Sequence, residues 1–422
     1  MGVDRRTFIK SGAALVAGSV TGCASTGGGP ATPAFKQNSD ALLRSAVSAG
    51  DVPGVVAAVT TPSSAVYEAA FGVRTLGQTA AMDLDTVMWI ASMTKPVTGS
   101  AAMQLVEQGK IGLDEPAAKI IPELGTIKVL DGWDANGQPR LRDPKTAITL
   151  RHLLTHTAGF TYDMWNPDNG RYLKVMNVPR AGTGKKAGLR IPLMFDPGQR
   201  WEYGINIDWA GQMVEAVSGM RLSQYIKHNI TDPLGMASTA FKITPEMRAR
   251  LAKVHQRGED GVKLTVTAFE VPQEPEFEAG GGGLYSTASD YQRFMRMILN
   301  GGRGNGNQIL KSETVALMSR NAMGSVRVRM LPTHNQVLTR DAEFFPGMPK
   351  TWGLTFMINE EIAPTGRSAG SLAWAGLANT YFWIDPKQNI AGVIMMQVLP
   401  FVDTRALALF TAYEKAVYAS FA

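Results

Sequence analysis

Ser92-Met93-Thr94-Lys95 places a hydroxyl and an amine three residues apart, at the start of a run over residues 93–108 that reads as a helix ended by Gly109. Residues three apart share a helix face, so Lys95 can reach the Ser92 hydroxyl. A serine in the first turn also feels the positive end of the helix dipole, which stabilises a developing oxyanion. An amine whose pKa is lowered by burial or by nearby positive charge can take the serine proton. The implied chemistry is acyl transfer through a serine ester, and this serine-lysine spacing occurs once in the chain.

Other candidate groups lead elsewhere or nowhere. Gly366-Arg367-Ser368-Ala369-Gly370 matches a nucleophile-elbow pattern, but that motif needs a strand before and a helix after, with an acid and then a histidine downstream. Pro364 precedes it and the last histidine is His334, so Ser368 is set aside. His152 and His156 have the i, i+4 spacing of a metal pair, yet no Glu lies between them as in H-E-x-x-H, and a structural role is expected. Residues 132–143 faintly echo a calcium loop through Asp134, Asn136 and Gly137, but Gly132 stands where the first carboxylate belongs, so a hairpin turn is the reading. Residues 182–188, GTGKKAG, lack the phosphate-loop spacing and read as a flexible loop. Trp133, Trp165, Trp201 and Trp374 are candidates for an apolar acyl pocket, with core packing an equal alternative for each.

The elements that must hold these groups are legible in outline. A helix around Leu42, Leu43, Ala46 and Val47 leads into strand-like runs at 54–60 and 65–72, separated by Pro62-Ser63-Ser64. Helical patterns broken by polar loops fill 110–280, with the clearest apolar stripe on Trp209, Met213, Val214 and Val217. Thr287–Asp290 resembles a capping box, 379–384 and 390–398 read as a hairpin, and a last helix carries Ala406, Phe410, Tyr413, Val417 and Phe421 on one face. Strands at both ends with helices between suggest an α+β fold: an antiparallel sheet formed by both chain ends and flanked by helices, plus a mostly helical domain.

Five stretches carry a family resemblance. Residues 85–115 resemble the nucleophile region of the serine β-lactamase and penicillin-binding protein superfamily, and 151–159 (RHLLTHTAG) resembles a stretch of its class C-like branch. Asp196-Pro197-Gly198 followed by Trp201-Glu202-Tyr203-Gly204-Ile205, with Asp208 beyond, looks like the tyrosine segment of family VIII carboxylesterases. Residues 280–290 (GGGGLYSTASD) and Trp374-Ala375-Gly376-Leu377 complete the set, in the family's order over most of 40–420.

The resemblance implies the β-lactamase/transpeptidase-like fold, with Ser92 as nucleophile, Lys95 as its partner, and Tyr203 as a phenolate-like general base that also protonates the leaving alcohol. A lysine beside the phenol would favour its ionised form. The oxyanion hole would be the backbone N–H groups of Ser92 and Leu377, the latter on an edge strand, and Trp374, Ala375 and Gly376 would bind substrate. Two departures bear on subclass. Ile205 stands at the third position of Tyr-x-Asn, with Asn206 one residue late, and Trp374 replaces the lysine that meets a substrate carboxylate. An aromatic cannot pair with a carboxylate as a cation does. The usual family VIII form of the last motif is Trp-Gly-Gly, so Ala375 is a further small change. The expected activity is hydrolysis of short or medium acyl esters, with no metal or organic cofactor. The alternatives are a β-lactamase or D-alanyl-D-alanine peptidase acting on peptidoglycan and, from another class, an inactive cell-wall-binding lipoprotein.

Composition fits this reading. The chain has 422 residues, one cysteine and a net charge of +6, two units of which come from Arg5, Arg6 and Lys10 against Asp4. One thiol excludes internal disulfides and cysteine-based metal sites, and the small, unclustered positive surplus gives no reason to propose nucleic acid. Residues 1–22 resemble a twin-arginine signal ending in Val20-Thr21-Gly22-Cys23, a lipobox-like sequence. A periplasmic lipoprotein is expected, anchored through Cys23, with a Gly- and Pro-rich tether over 23–36 and the hydrolase domain over 37–422. Within that domain, 110–280 is expected as the helical part and 37–109 with 281–422 as the α/β part.

Overall fold

The computed structural model describes residues 32–421. The leader, Cys23 and tether residues up to 31 lie outside them. Helix α1, Pro33–Ser48, begins inside the expected tether: Thr32 Oγ1 accepts from the Phe35 N–H at 3.2 Å, and Pro33 occupies the first turn. Proline there needs no hydrogen-bond partner, so it starts a helix rather than loosening a linker.

Strands β1 (Gly54–Thr60) and β2 (Ala65–Gly72) form the expected hairpin. Helix α2 (Thr94–Glu107) follows, and every residue from Thr94 to Leu105 is buried. Its small residues Gly99, Ser100, Ala101 and Ala102 let neighbours close in on all sides, which makes it a core helix instead of an amphipathic surface one. Between α2 and Gly280 run a hairpin (Val129–Trp133 with Pro139–Arg142), short helices such as Leu150–Leu154, and helix α3 (Asn206–Ser218). In that hairpin the Asp134 carboxylate accepts from the Asn136 and Gln138 N–H groups, each at 2.8 Å, so it serves the turn.

Helix α4 (Ala288–Leu299) is capped by Thr287, whose Oγ1 accepts from the Asp290 N–H at 3.1 Å. The other strands of the main sheet are β3 (Lys350–Trp352), β4 (Met357–Asn359), β5 (Leu372–Gly376), β6 (Thr380–Asp385) and β7 (Ile390–Met395), and helix α5 (Thr404–Phe421) closes the described chain. The seven strands order as β3-β4-β5-β6-β7-β1-β2, every pair antiparallel, so the two chain ends meet where β7 pairs with β1. This is the α+β, antiparallel-sheet architecture expected from the sequence. Adjacent residues of a strand face opposite sides. Trp383 of β6 packs on Phe410 and Tyr413 of α5, while Phe382 packs on Tyr291 of α4, so helices cover both faces.

Candidate active site

Ser92 sits in a 3-10 turn, Ala91–Met93, that leads directly into α2. The turn is held from three directions. Gln397, just after β7, clamps Trp89: its Oε1 accepts from the Trp89 N–H at 3.1 Å and its Nε2 donates to the Trp89 carbonyl at 3.0 Å. The Leu284 N–H donates to Thr94 Oγ1 at 3.1 Å, and the Tyr291 hydroxyl to the Met93 carbonyl at 3.0 Å. Ala91 is forced to φ +43°, a left-handed conformation that a non-glycine residue keeps only where its surroundings impose it.

Lys95 is fully buried, and its Nζ lies 3.0 Å from Ser92 Oγ, 2.6 Å from the Gly281 carbonyl oxygen and 3.4 Å from Tyr162 Oη. Burial pushes its ammonium down to about 7, against the pull of Asp208. A neutral amine has two N–H donors and one lone pair, which matches two acceptors, Gly281 O and Tyr162 Oη, and one incoming proton from Ser92.

Tyr203 faces the same point from the segment before α3. Its ring lies under Lys95 Nζ, 4.5 Å from the centroid, and is surrounded by His156, Trp165, Trp201, Trp352 and Trp374. Burial works against the phenolate that Lys95 was expected to favour. Burial raises the Tyr203 pKa, more than hydrogen bonds with Ser92 and Trp374 lower it. Lys95 sits over the ring face and is itself lowered to about 7 by burial, so the surroundings of Tyr203 favour its protonated hydroxyl.

The Trp374, Ala375 and Gly376 expectation also changes. All three are buried, and none lines the cavity. The Trp374 indole N–H instead donates to Tyr203 Oη at 2.7 Å, fixing the phenol from behind. Gly376 is pressed against the 3-10 turn, where an added Cβ would fall 2.3 Å from the Ile90 carbonyl oxygen. That contact carries Leu377 over the turn, and Ser92 and Leu377 line one cavity. Nor is β5 an edge strand of the sheet, because β4 pairs with it at Ala373 and Leu372. Its last residues, Trp374 to Gly376, have no partner on that side in this register, so the strand is an edge only where it meets the site.

The cavity in front of Ser92 measures about 240 Å³. Ser92, Tyr203, Tyr162 and Asp208 form its polar end, and Trp89, Met164, Trp165, Ile205, Phe269 and Leu338 represent its apolar wall. Of the four tryptophans expected there only Trp165 lines it. Trp133 stacks under Arg171, with the guanidinium 3.9 Å from its ring centroid, and Trp201 packs into the core on Trp352. The charged wall residues are Asp163, Arg180 and Asp208, and Arg180 is tied to Asp163 at 2.6 Å. Gly182 and Gly188, read as part of a flexible loop, are wall residues that each sit within a short 3-10 turn, Ala181–Thr183 and Lys186–Leu189.

His152 and His156 do not converge on a metal. His152 Nδ1 accepts from the Thr149 N–H at 3.3 Å, whereas His156 Nδ1 faces Asn206 Nδ2 at 3.0 Å. The Ser368 backbone N–H donates to Asp385 Oδ2, away from the cavity. Sequence reasoning missed Tyr162, Gly281, Gln397 and the role of Asp208. Asp208, in the first turn of α3, is fully buried and accepts from the Gly281 N–H at 2.9 Å; burial lifts its carboxyl to about 6.

A family model described as Beta-lactamase matches residues 39–413. Monacolin J acid methylbutanoyltransferase of Aspergillus terreus is 32% identical over 400 residues, covering 90% of this chain and 95% of that one. Lovastatin esterase of Penicillium rubens is 31% identical over 384 residues, covering 87% and 94%. Among solved structures, a LovD6 mutant of simvastatin synthase from Aspergillus terreus superposes with a TM-score of 0.80 at 29% identity, covering 92% of this chain and 95% of that one.

Proposed function

The chain belongs to the β-lactamase family, and from that premise we propose that it transfers acyl groups from esters through a covalent ester on Ser92, to water or to a second alcohol. The observation that carries this is the buried Lys95 amine, 3.0 Å from Ser92 Oγ, with Ser92 itself lining a largely apolar cavity whose charged wall residues include the paired Asp163 and Arg180. The Ser92 proton passes to Lys95 Nζ as Oγ attacks the acyl carbon. Backbone N–H groups of Ser92 and Leu377 take up the oxyanion, where each such donor is worth about 10²–10³ in rate. As the tetrahedral adduct collapses, Tyr203 gives its hydroxyl proton to the departing alkoxide and recovers one from the Lys95 ammonium. The second half runs in reverse: the acceptor O–H loses its proton to the same pair, its oxygen takes the acyl group, and Ser92 Oγ is reprotonated.

An apolar wall suits an uncharged acyl chain and limits the number of competing waters. Esterase and acyltransferase relatives differ in the acceptor, which this site leaves to whichever O–H reaches the acyl carbon. A β-lactam or peptide carboxylate would need a free cation. Arg180 is already bound by Asp163, and Trp374 holds the lysine position of the β-lactamases.

One preparation decides the matter. Incubated with p-nitrophenyl butyrate and increasing concentrations of a small alcohol, it should release p-nitrophenol and divide the acyl group between water and the alcohol. A fluorophosphonate should add to the peptide carrying Ser92 and abolish both products. Turnover of nitrocefin or a D-Ala-D-Ala peptide without ester turnover, or full activity after labelling elsewhere, would overturn the proposal.

A further inference from the structure

The mechanism above uses Ser92, Lys95 and Tyr203 and leaves one buried acid beside them without a task. Asp208 and Lys95 are not joined by an ion-pair contact; they meet on Gly281, whose carbonyl accepts from Lys95 Nζ at 2.6 Å and whose N–H donates to Asp208 Oδ1 at 2.9 Å. A side chain at 281 would crowd this arrangement, since an added Cβ would fall 2.9 Å from Asp208 Oδ2 and 3.2 Å from Tyr162 Oη and one of them would have to shift. The first turn of α3 places the carboxylate near that helix's positive end.

We propose that Asp208 is a positioning residue that sets the charge on Lys95 across Gly281, holding the amine ready to take the Ser92 proton and stabilising the ammonium once it has done so. Four titratable groups face Lys95. Tyr203 lies just before α3, and Tyr162 and His156 come from the segment after helix Leu150–Leu154. Burial pushes both phenols up and the imidazole well down, so all three are uncharged near neutrality. Asp208, from α3, is the fourth and the one that carries charge there. A carboxylate in direct contact would lock the lysine as an ammonium, unable to act as base. With no acid at all, burial would hold the amine neutral and leave the new ammonium unsupported. Separation by one glycine gives the intermediate result: attraction without a bond, and an affinity for protons near the pH at which the base works.

The inference rests on the acyl-enzyme reading, and the two are separable, because fluorophosphonate addition to Ser92 tests that reading while the pH profile tests this one. In the wild type, kcat/KM for p-nitrophenyl butyrate should rise with pH through about 7 as Lys95 loses its proton. Asp208→Asn keeps the shape and the oxygen that Gly281 N–H needs. It should still accept the fluorophosphonate, lower kcat more than it changes KM, and move the acid limb to lower pH by about 1 unit or more, since the carboxylate that favoured the ammonium is gone. Asp208→Glu keeps the charge and should leave the limb nearer that of the wild type. An acid limb in Asp208→Asn that coincides with the wild type overturns the inference, whatever the loss in kcat. Should Asp208→Asn fail to fold, the wild type decides: the 13C carboxyl resonance of Asp208, assigned by its loss in Asp208→Glu, should shift over the same pH range as the acid limb. A resonance that is flat through that range overturns the proposal.

Discussion

Two regions of this molecule bury an acid with a base, and they join them differently. Arg257 and Asp403 close on each other: Nε and Nη2 reach Oδ2 and Oδ1, both at 2.8 Å, with the side chains 1% and 6% exposed. The same guanidinium donates to the Val262 carbonyl, and Asp403 Oδ1 accepts from the Ala406 N–H at the start of α5. Each nitrogen of the guanidinium has a partner, and the pair fastens the short strand His255–Arg257 to the chain just ahead of α5. Lys95 and Asp208 are equally buried but are separated by the backbone of Gly281. The closed pair is fixed by direct contact; the open one leaves the amine and the acid apart, each bonded to Gly281. The chemistry differs as well as the geometry: a guanidinium fork clasping a carboxylate is a structural fastening, whereas an amine held apart from its acid suits the role proposed for Lys95.

Breaking the open pair should have the largest effect on turnover and little on folding. Lys95→Met replaces the amine with an apolar chain of similar length, and kcat/KM for p-nitrophenyl butyrate should fall by about 10²–10⁴, the usual worth of a positioned base. Circular dichroism melts should stay close to those of the wild type, because an apolar side chain suits a buried site. Loss of folded protein in place of lost turnover would mean that the lysine is structural.

The closed pair should answer the opposite way. Arg257→Met leaves Asp403 buried without its partner, which costs about 3–5 kcal/mol of stability. Urea denaturation should show the loss. Turnover per fluorophosphonate-titrated site should remain that of the wild type, because neither residue lines the cavity. A reduced rate per titrated site would show that the fastening also shapes the site.

What the sequence disclosed follows the same division between local and assembled structure. The hairpin bounds 54–60 and 65–72 were legible because turn residues separate two apolar runs. The Ser92–Lys95 contact was legible because three residues of helix fix it. Tyr203 entered through family resemblance, since it lies 108 positions along the chain from Lys95 and no local rule spans that distance. Tyr162, Gly281 and Asp208 come from three segments that meet only in the folded chain. Trp374 was misplaced for a different reason: β5 is buried throughout, so alternation does not reveal which face meets the cavity and which meets Tyr203. Charge states were the least legible, because burial, the dominant influence on Lys95, Tyr203 and Asp208, cannot be read from residue types.

The smallest effect should come from the serine whose motif looked like a rival nucleophile. Ser368 lies beside a second closed pair, Arg367 with Glu414, where Arg367 Nε donates to Glu414 Oε1 at 2.7 Å and both side chains are buried. Around it the backbone is in use: its N–H donates to Asp385 Oδ2 at 3.0 Å, and its carbonyl accepts from Asn359 Nδ2 and Ser371 Oγ, each at 2.8 Å. None of those bonds involves the hydroxyl. Ser368→Ala should therefore keep kcat/KM within about twofold of the wild type and change stability by no more than about 1 kcal/mol, the centre of the range for single substitutions. A buried serine needs a base within reach to become a nucleophile. The basic group nearest in sequence, Arg367, is already committed to Glu414. An ester-hydrolysis rate that falls with Ser368→Ala as it does with Lys95→Met would mean that a closed pair can serve catalysis after all, and the contrast between the two regions would fail.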